Sequence, residues 1–278
     1  VTILTVQFDI NGYTDYKELL RVFESSVHRH MPEANFEKII LPAEDRTPAM
    51  RCGKHANTRK LEVWVDYIDN TDDDVILADC DMLMLKSAEH AFDLPFDIAY
   101  TRRLKVGKVP FNNGIMMVRP TGASRDFMHR WLEVNNQMFL DKDFHGVWNR
   151  KYKGMNQTAF GYMLERGEHH ADLHAYTTRE WNAVDPDWSY IDDDTVFVHI
   201  KGALRDATVR GKAPLGSVVY PAALWYKEAG QGIPHQYKRL IDIRRNGRGH
   251  SAIVRKHLRR QGGQLNKVES MMEKAGLI

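Results

Sequence analysis

The stretch Asp74-Val75-Ile76-Leu77-Ala78-Asp79-Cys80-Asp81-Met82-Leu83-Met84-Leu85 constrains this chain more than any other. Val75 to Ala78 is an apolar run, partly β-branched, with the length of a strand buried on both faces. Asp79 and Asp81 stand where that run gives out. In an open α/β sheet the carboxyl ends of the strands face the ligand crevice, which would put the pair at its edge. Two hard oxygen donors there suit Mg²⁺ or Mn²⁺ carrying a diphosphate, because such ions take few carboxylates and fill their shell from phosphate and water. The plain alternative is a polar loop in which Asp81 caps a helix. Aspartates at i and i+2 do not separate the two readings, so the rest of the chain has to decide.

The flanking pattern is that of a doubly wound sheet. Val1 to Phe8 reads as a strand, and Thr14 offers an N-cap. Tyr16 to His30 then follows a helical period, with Leu19, Leu20, Phe23 and Val27 on one face. Phe36 to Leu41 is a second strand closed by Pro42. Residues 42–57 read as a loop, and Leu61, Trp64, Val65 and Ile68 mark a helix from Thr58 to Ile68. The acidic turn Asp69 to Asp74 precedes the Val75 strand, on the wrong end for a metal site in the crevice. Phe96 to Tyr100 is a further short apolar segment, and residues 101–110 form a basic loop. In Phe111-Asn112-Asn113-Gly114-Ile115 the Asn-Asn-Gly predicts a turn leading into a strand over Ile115 to Val118. Ser124 is placed to cap a helix that runs to about Leu140. Asn156 to Arg166 is another helix, stopped by Gly167, and Val196 to Ile200 is a late strand containing His199. Beyond Gly202 the pattern loosens.

Composition and charge narrow the setting. The chain has 278 residues and is 43% hydrophobic, enough for a sizeable core. No apolar run approaches the roughly 20 residues that span a bilayer. Asp9, Asn11 and Asp15 interrupt any secretory apolar core at the start. Cys52 and Cys80 make no disulfide framework, so a reducing, cytoplasmic setting is expected. The formal net charge of +2 hides an asymmetry: residues 201–278 carry 16 Lys+Arg against 5 Asp+Glu, leaving 23 against 32 for residues 1–200. The basic stretch from Tyr237 to Arg260 predicts two short amphipathic helices broken near Asn246-Gly247. By default it is a solvated face; otherwise it points to an anionic partner, either a membrane surface, giving a peripheral location, or a nucleic acid.

Five stations line up along the chain: Lys60-Leu61-Glu62-Val63-Trp64; Asp79 and Asp81; Phe111-Asn112-Asn113-Gly114-Ile115; Asn156-Gln157; and Trp181-Asn182. A sixth, His199-Ile200-Lys201-Gly202-Ala203-Leu204-Arg205, closes the set. The ordered set resembles glycosyltransferase family 8, the glycogenin-like and lipopolysaccharide galactosyltransferase-like retaining enzymes. The family pattern is D-x-D at a strand end, F-N-[ST]-G-[IV], a D-Q helix start, W-N or F-N, and H-x-x-G-x-x-K-P-W. The likeness spans about residues 1–206.

The resemblance implies a GT-A fold: an α/β, Rossmann-like, doubly wound mixed sheet over residues 1–206, with a basic, partly helical C-terminal extension over 207–278. It implies metal-dependent transfer of a hexose, with retention, from a nucleotide-diphosphate sugar, a UDP-sugar above all, to an acceptor the sequence does not name. Asp79, Asp81 and His199 would hold Mn²⁺ or Mg²⁺, and Asp79 would also touch the donor. Val6, Gln7 and Asp9 would receive the nucleoside, while Lys60, Asn113, Gly202 and Arg205 would contact the donor. Asn112, Asn156 and Gln157 would stand at the reacting end. Three residues depart from the pattern. Asn156 replaces the aspartate of D-Q, Arg205 the phosphate-binding lysine, and Asn113 a small hydroxyl residue. Asn156 is also a natural helix N-cap, and Trp181 reads as packing. His169, His170, Asp172 and His174 invite a zinc reading, but alternate strand residues face opposite ways. Two other functions stay open: a sugar-nucleotide-binding module without transfer activity, and a nucleotidyltransferase acting on a sugar phosphate. The latter wants a glycine-rich basic loop after the first strand, where Gln7 to Tyr13 has only Gly12.

Overall fold

The computed structural model of the chain describes residues 1–9, 14–42, 54–103, 109–212, 214, 216–246, 262–274, 276 and 278. Cys52, most of the 42–57 loop, half of the 101–110 loop, the turn after the first strand and the second basic helix beyond Asn246 lie outside the described residues.

Eight strands and ten α-helices are described. β1 (Thr2–Asp9), α1 (Thr14–His30), β2 (Asn35–Pro42), α2 (Lys54–Asp69) and β3 (Val75–Asp79) open the chain. β4 (Met82–Met84), β5 (Ile98–Arg102), β6 (Phe111–Val118) and helices α3 (Gly122–Leu140), α4 (Lys142–Tyr152) and α5 (Asn156–Arg166) follow. Then come β7 (Leu173–Thr177), α6 (Thr178–Trp181), β8 (Phe197–His199), α7 (Ala203–Thr208), α8 (Val219–Glu228), α9 (His235–Asn246) and α10 (Gly262–Lys274).

Six strands form one mixed sheet in the order β2-β1-β3-β6-β5-β7. β1 runs parallel to β2 and β3, β6 is antiparallel to β3 and β5, and β7 is parallel to β5. Strand alternation distributes the core. On one face Leu4, Val75, Leu77, Met116 and Val118 pack against Leu61, Trp64 and Ile68 of α2 and Phe127, Trp131 and Val134 of α3. On the other, Ile3, Ile76, Ala78, Ile115 and Met117 meet Phe23 and Val27 of α1 and Phe197 of β8. Both faces are covered, as a doubly wound sheet requires. A third cluster joins Leu19 and Val22 of α1, Val198 of β8 and Leu204 of α7 to Trp225, Ile241, Leu265 and Val268 of α8 to α10.

Four local expectations are corrected. Asn112-Asn113-Gly114 is not a turn but the interior of β6, whose eight residues are all buried. The Asn112 side chain is tolerated there because it is hydrogen-bonded within the interior. The N-cap of α3 is Thr121, with Ser124 completing a reciprocal capping box from the third helical position. Asn156 is the first residue of α5, after the N-cap position held by Met155. Its side chain still serves a helix-start donor, since its Oδ1 accepts from Gln157 N at 2.9 Å. Past Gly202 the described residues include helices α7 to α10; α8 is buried on nearly every side, so it has no amphipathic period to read. α4 was not apparent from the sequence.

Candidate metal and donor site

The parallel register places the ends of two strands side by side, with Val6 of β1 opposite Asp79 of β3. After Asp79 the chain leaves the main sheet and enters β4, which pairs antiparallel with β8 so that Met82 faces His199. Ile200 N donates to Asp81 O at 2.7 Å beside this ladder. A two-strand ribbon thus joins residues far apart in sequence and delivers the histidine to the aspartates.

Asp79, Asp81 and His199 each present a ligand atom within 4.8 Å of the others, the only such group of His, Cys, Asp and Glu among the described residues. His199 Nε2 lies 3.1 Å from Asp81 Oδ1 and 3.6 Å from Asp79 Oδ2. Neighbouring ligands of a small octahedral cation, each at about 2.1 Å, stand roughly 3 Å apart, so the three atoms fit such an ion. Two carboxylates and one imidazole suit a hard divalent cation. His169, His170, Asp172 and His174 form no group of this kind; His174 stacks on Phe96.

Buried contacts orient the histidine. Asn182, fully buried, places its Oδ1 3.1 Å from His199 Nδ1. Its Nδ2 donates to Thr101 Oγ1 at 3.0 Å and to Asn112 Oδ1 at 2.9 Å. Thr101 Oγ1 already donates to Asn112 O, and Asn112 Oδ1 already accepts from Gly114 N. These commitments fix which end of the Asn182 amide meets the ring. His199 therefore donates from Nδ1 and leaves Nε2 to face the aspartates. Trp181-Asn182 was legible as a motif, but not Asn182 as the support of the ring. Trp181 itself is packing, buried against His90 and Tyr176.

Cations answer the carboxylates. Lys60 of α2, on the same sheet face as Asp79, pairs with it at 2.5 Å and lies over the Trp64 ring. Arg205 of α7 pairs with Asp81 at 2.5 Å; its other arm donates to Tyr16 OH at 2.8 Å. Burial alone would raise the Asp81 carboxyl, but His199 and Arg205 hold it well below the usual carboxylate range. Burial, and then the Asp81 and Asp79 charges, push the Cys80 thiol far up. Desolvation pulls Lys201 below the ordinary lysine range. Gly202 starts α7 at φ 54°, a conformation that favours glycine, and so sets the approach of Arg205.

The cleft in front of this group has a volume of about 370 Å³ and is lined by Lys60, Asp79, Asp81, Asn112, Asn113, Asn156, Gln157, His199 and Arg205 among others. Nine predicted positions therefore meet at one opening. Val6, Gln7, Asp9 and Gly202 do not line it. The first three sit at the end of β1, with Asp9 paired to Lys17 at 3.1 Å. Asn112 and Asn113 diverge: Asn112 is committed to the network behind His199, while neither polar atom of the buried Asn113 has a partner. Gln157 Nε2 donates to Tyr152 O at 2.7 Å.

A sequence profile of the nucleotide-diphospho-sugar transferase family matches residues 60–207, just over half of the chain, from the lysine that holds Asp79 to past Arg205. The chain belongs to the nucleotide-diphospho-sugar transferase family. Among solved structures, the transferase is similar to a glycosyltransferase involved in glycosylation of the major capsid of PBCV-1, at 15% identity and a TM-score of 0.52, covering 74% of this chain and 98% of the other. It is also similar to galactosyltransferase LgtC in complex with donor and acceptor sugar analogs, at 14% identity and a TM-score of 0.53, covering 86% and 99%. The glycosyltransferase GlyE of Streptococcus pneumoniae TIGR4 aligns at 11% identity and a TM-score of 0.54, over 82% of this chain and 60% of that one. At these identities the likeness is one of fold, and the fold is GT-A. No curated protein matches by sequence. Among the described residues no helix is long and apolar enough to cross a membrane.

Proposed function

We propose that this glycosyltransferase moves a hexose from a UDP-sugar to an acceptor hydroxyl, with retention, using Mn²⁺ or Mg²⁺ held by Asp79, Asp81 and His199. The observation that carries the reading is the convergence of those three ligand atoms at one cleft. The ion, when bound, supplies positive charge to the departing diphosphate. Residues 1–206 would form the catalytic domain and residues 207–278 a basic extension packed on it through α8 to α10.

The chain's own residues divide the remaining work. Val6, Gln7 and Asp9 at the β1 end would receive the nucleoside. Lys60 and Arg205 neutralise Asp79 and Asp81 and stand ready to face phosphate oxygens; Arg205 Nε is buried and has no acceptor. Asn113, buried with both polar atoms free, would hydrogen-bond the donor sugar. With its Nε2 committed to Tyr152, Gln157 has its Oε1 left to face positive character at the anomeric carbon. Asn156 is an amide whose oxygen serves Gln157 N, so it supplies no general base. The leaving phosphate would take the acceptor proton. Asn112 acts through Asn182 and His199.

Calorimetric titration of UDP with and without Mn²⁺, followed by a screen of UDP-sugars for released UDP, tests the proposal. UDP binding should require the metal and disappear in Asp81→Asn. Absence of UDP binding to the wild type would overturn the assignment, and tight binding without turnover of any donor would leave a binding module.

A further inference from the structure

We infer that the acceptor carries a phosphate group, bound by Arg103, Lys153 and Lys201 beside the donor; this rests on the reading of the cleft as the donor site. Five cations line the cleft, Lys60, Arg103, Lys153, Lys201 and Arg205, against two carboxylates, Asp79 and Asp81. Lys60 and Arg205 are the two engaged in ion pairs with those aspartates. Arg103, Lys153 and Lys201 make no ion pair and no side-chain hydrogen bond among the described residues. A divalent ion and the diphosphate of a nucleotide sugar cancel each other's charge. The donor complex therefore leaves the excess of three cations standing. Like charges gathered in a protein-walled cleft disfavour the folded state unless an anion answers them.

Two details bear on how Arg103 and Lys153 are placed. Arg103 follows β5, its backbone N–H donating to Pro110 O at 2.8 Å, and its Nε is closed off from solvent without an acceptor among the described residues. A buried guanidinium donor without a partner is costly unless a ligand completes it. Lys153, between α4 and α5, has φ 60° and ψ 149°, a region essentially reserved for glycine. The turn is pinned around it: Gly154 O accepts from His145 Nε2 at 3.0 Å and from Thr158 Oγ1 at 2.6 Å, while Tyr152 O accepts from Gln157. A glycine would fit there without strain, so retaining a lysine in that conformation points to use of its ammonium. The three cations come from three different parts of the chain, the end of β5, the α4–α5 turn and the β8–α7 turn. A phosphate, with several acceptor oxygens, can meet all of them and engage the guanidinium in paired hydrogen bonds; a neutral sugar cannot.

Full-length protein saturated with UDP and Mn²⁺ is titrated calorimetrically with glucose 6-phosphate, with glucose and with inorganic phosphate. Vesicles of phosphatidylcholine with and without phosphatidylinositol 4-phosphate are compared by sedimentation. We expect a phosphorylated ligand, soluble or lipid-borne, to bind at least about tenfold more tightly than its neutral counterpart. Arg103→Gln and Lys153→Gln should each erase most of that margin and leave UDP affinity within about twofold of wild type. Preference for glucose 6-phosphate identifies a soluble acceptor, and preference for the phosphoinositide vesicles a lipid one. Equal binding of phosphorylated and neutral ligands overturns the proposal, as do variants that weaken UDP instead, since the cations would then serve the donor. Loss of UDP binding in the wild type is a failure of the donor assignment alone, because glucose 6-phosphate titrated directly still reads the three cations.

Discussion

The backbone of Gly114 lies directly against the imidazole of His199: a Cβ on Gly114 would come within 2.6 Å of the ring's Cε1 and 2.7 Å of its Nδ1. The glycine in the Phe111-Asn112-Asn113-Gly114-Ile115 motif is thus required by close approach and not by a turn. It lets the His199 ring on β8, a candidate metal ligand, press against the strand that carries Asn113, the residue proposed to face the donor. Gly114→Ala should cost about 1–3 kcal/mol in denaturant unfolding, as overpacking does. It should also lower Mn²⁺ affinity, measured by electron paramagnetic resonance, at least about tenfold. An alanine variant with wild-type metal affinity would show that the ring need not sit where it does.

Asn182 supports the same ring from its other side. Asn182→Ala leaves His199 Nδ1 without its acceptor and is expected to reduce metal affinity about 10- to 100-fold. Asn182→Ala should then add little to His199→Ala in a double-mutant cycle, because Asn182 acts through the ring. Fully additive losses would mean that Asn182 acts elsewhere.

The acid stability of the protein should report Asp81. Its carboxyl is held below the usual range by His199 and Arg205 in spite of burial. A carboxylate depressed in the folded state stabilises it above the unfolded value, near 3.8, and that contribution is lost as pH falls further. The stability gap between wild type and Asp81→Asn, followed by urea unfolding, should narrow as pH falls below about pH 4. A gap that stays constant down to pH 3 would contradict the ion-pair geometry.

Cys80 lies between the two aspartates, and burial followed by their charges keeps its thiol protonated far above neutrality. Iodoacetamide at pH 8 should label Cys80 in the folded protein at least about tenfold more slowly than in urea, read by peptide mass spectrometry. Asp81→Asn should speed the labelling, and rapid wild-type labelling would refute the assignment.

The strain at Lys153 is separable from its charge. Lys153→Gly should stabilise the protein by about 1 kcal/mol, against an expected loss for glycine elsewhere, while Lys153→Gln should not. Thermal unfolding decides it: a glycine variant less stable than wild type would show that the backbone there is relaxed.

Much of the site was legible because chemistry-bearing residues stand at strand ends whose apolar runs are self-evident. Val75 to Ala78 ends at Asp79, and Phe197 to His199 ends at the histidine. What misled was polarity inside a strand. Asn112-Asn113-Gly114 carries turn residues, yet hydrogen bonds from Asn182 and Gly114 satisfy Asn112 in the interior, and only the fold supplies those partners. α8 was illegible for the opposite reason, since a helix buried all round has no polar stripe.

The sequence by itself determined the doubly wound sheet, the hard-ligand aspartates and the order of the motifs, since these follow from local periodicity and side-chain chemistry. Tertiary structure alone decided that β4 and β8 pair, and so that His199 meets Asp79 and Asp81. It also decided that, among the described residues, Asn112 supports the ring while Asn113 has no partner, and that three cations without an ion pair share the cleft with the aspartates. Those outcomes depend on which distant backbones hydrogen-bond to each other. That choice is made by the closing of a common core, and no stretch of the chain carries it alone.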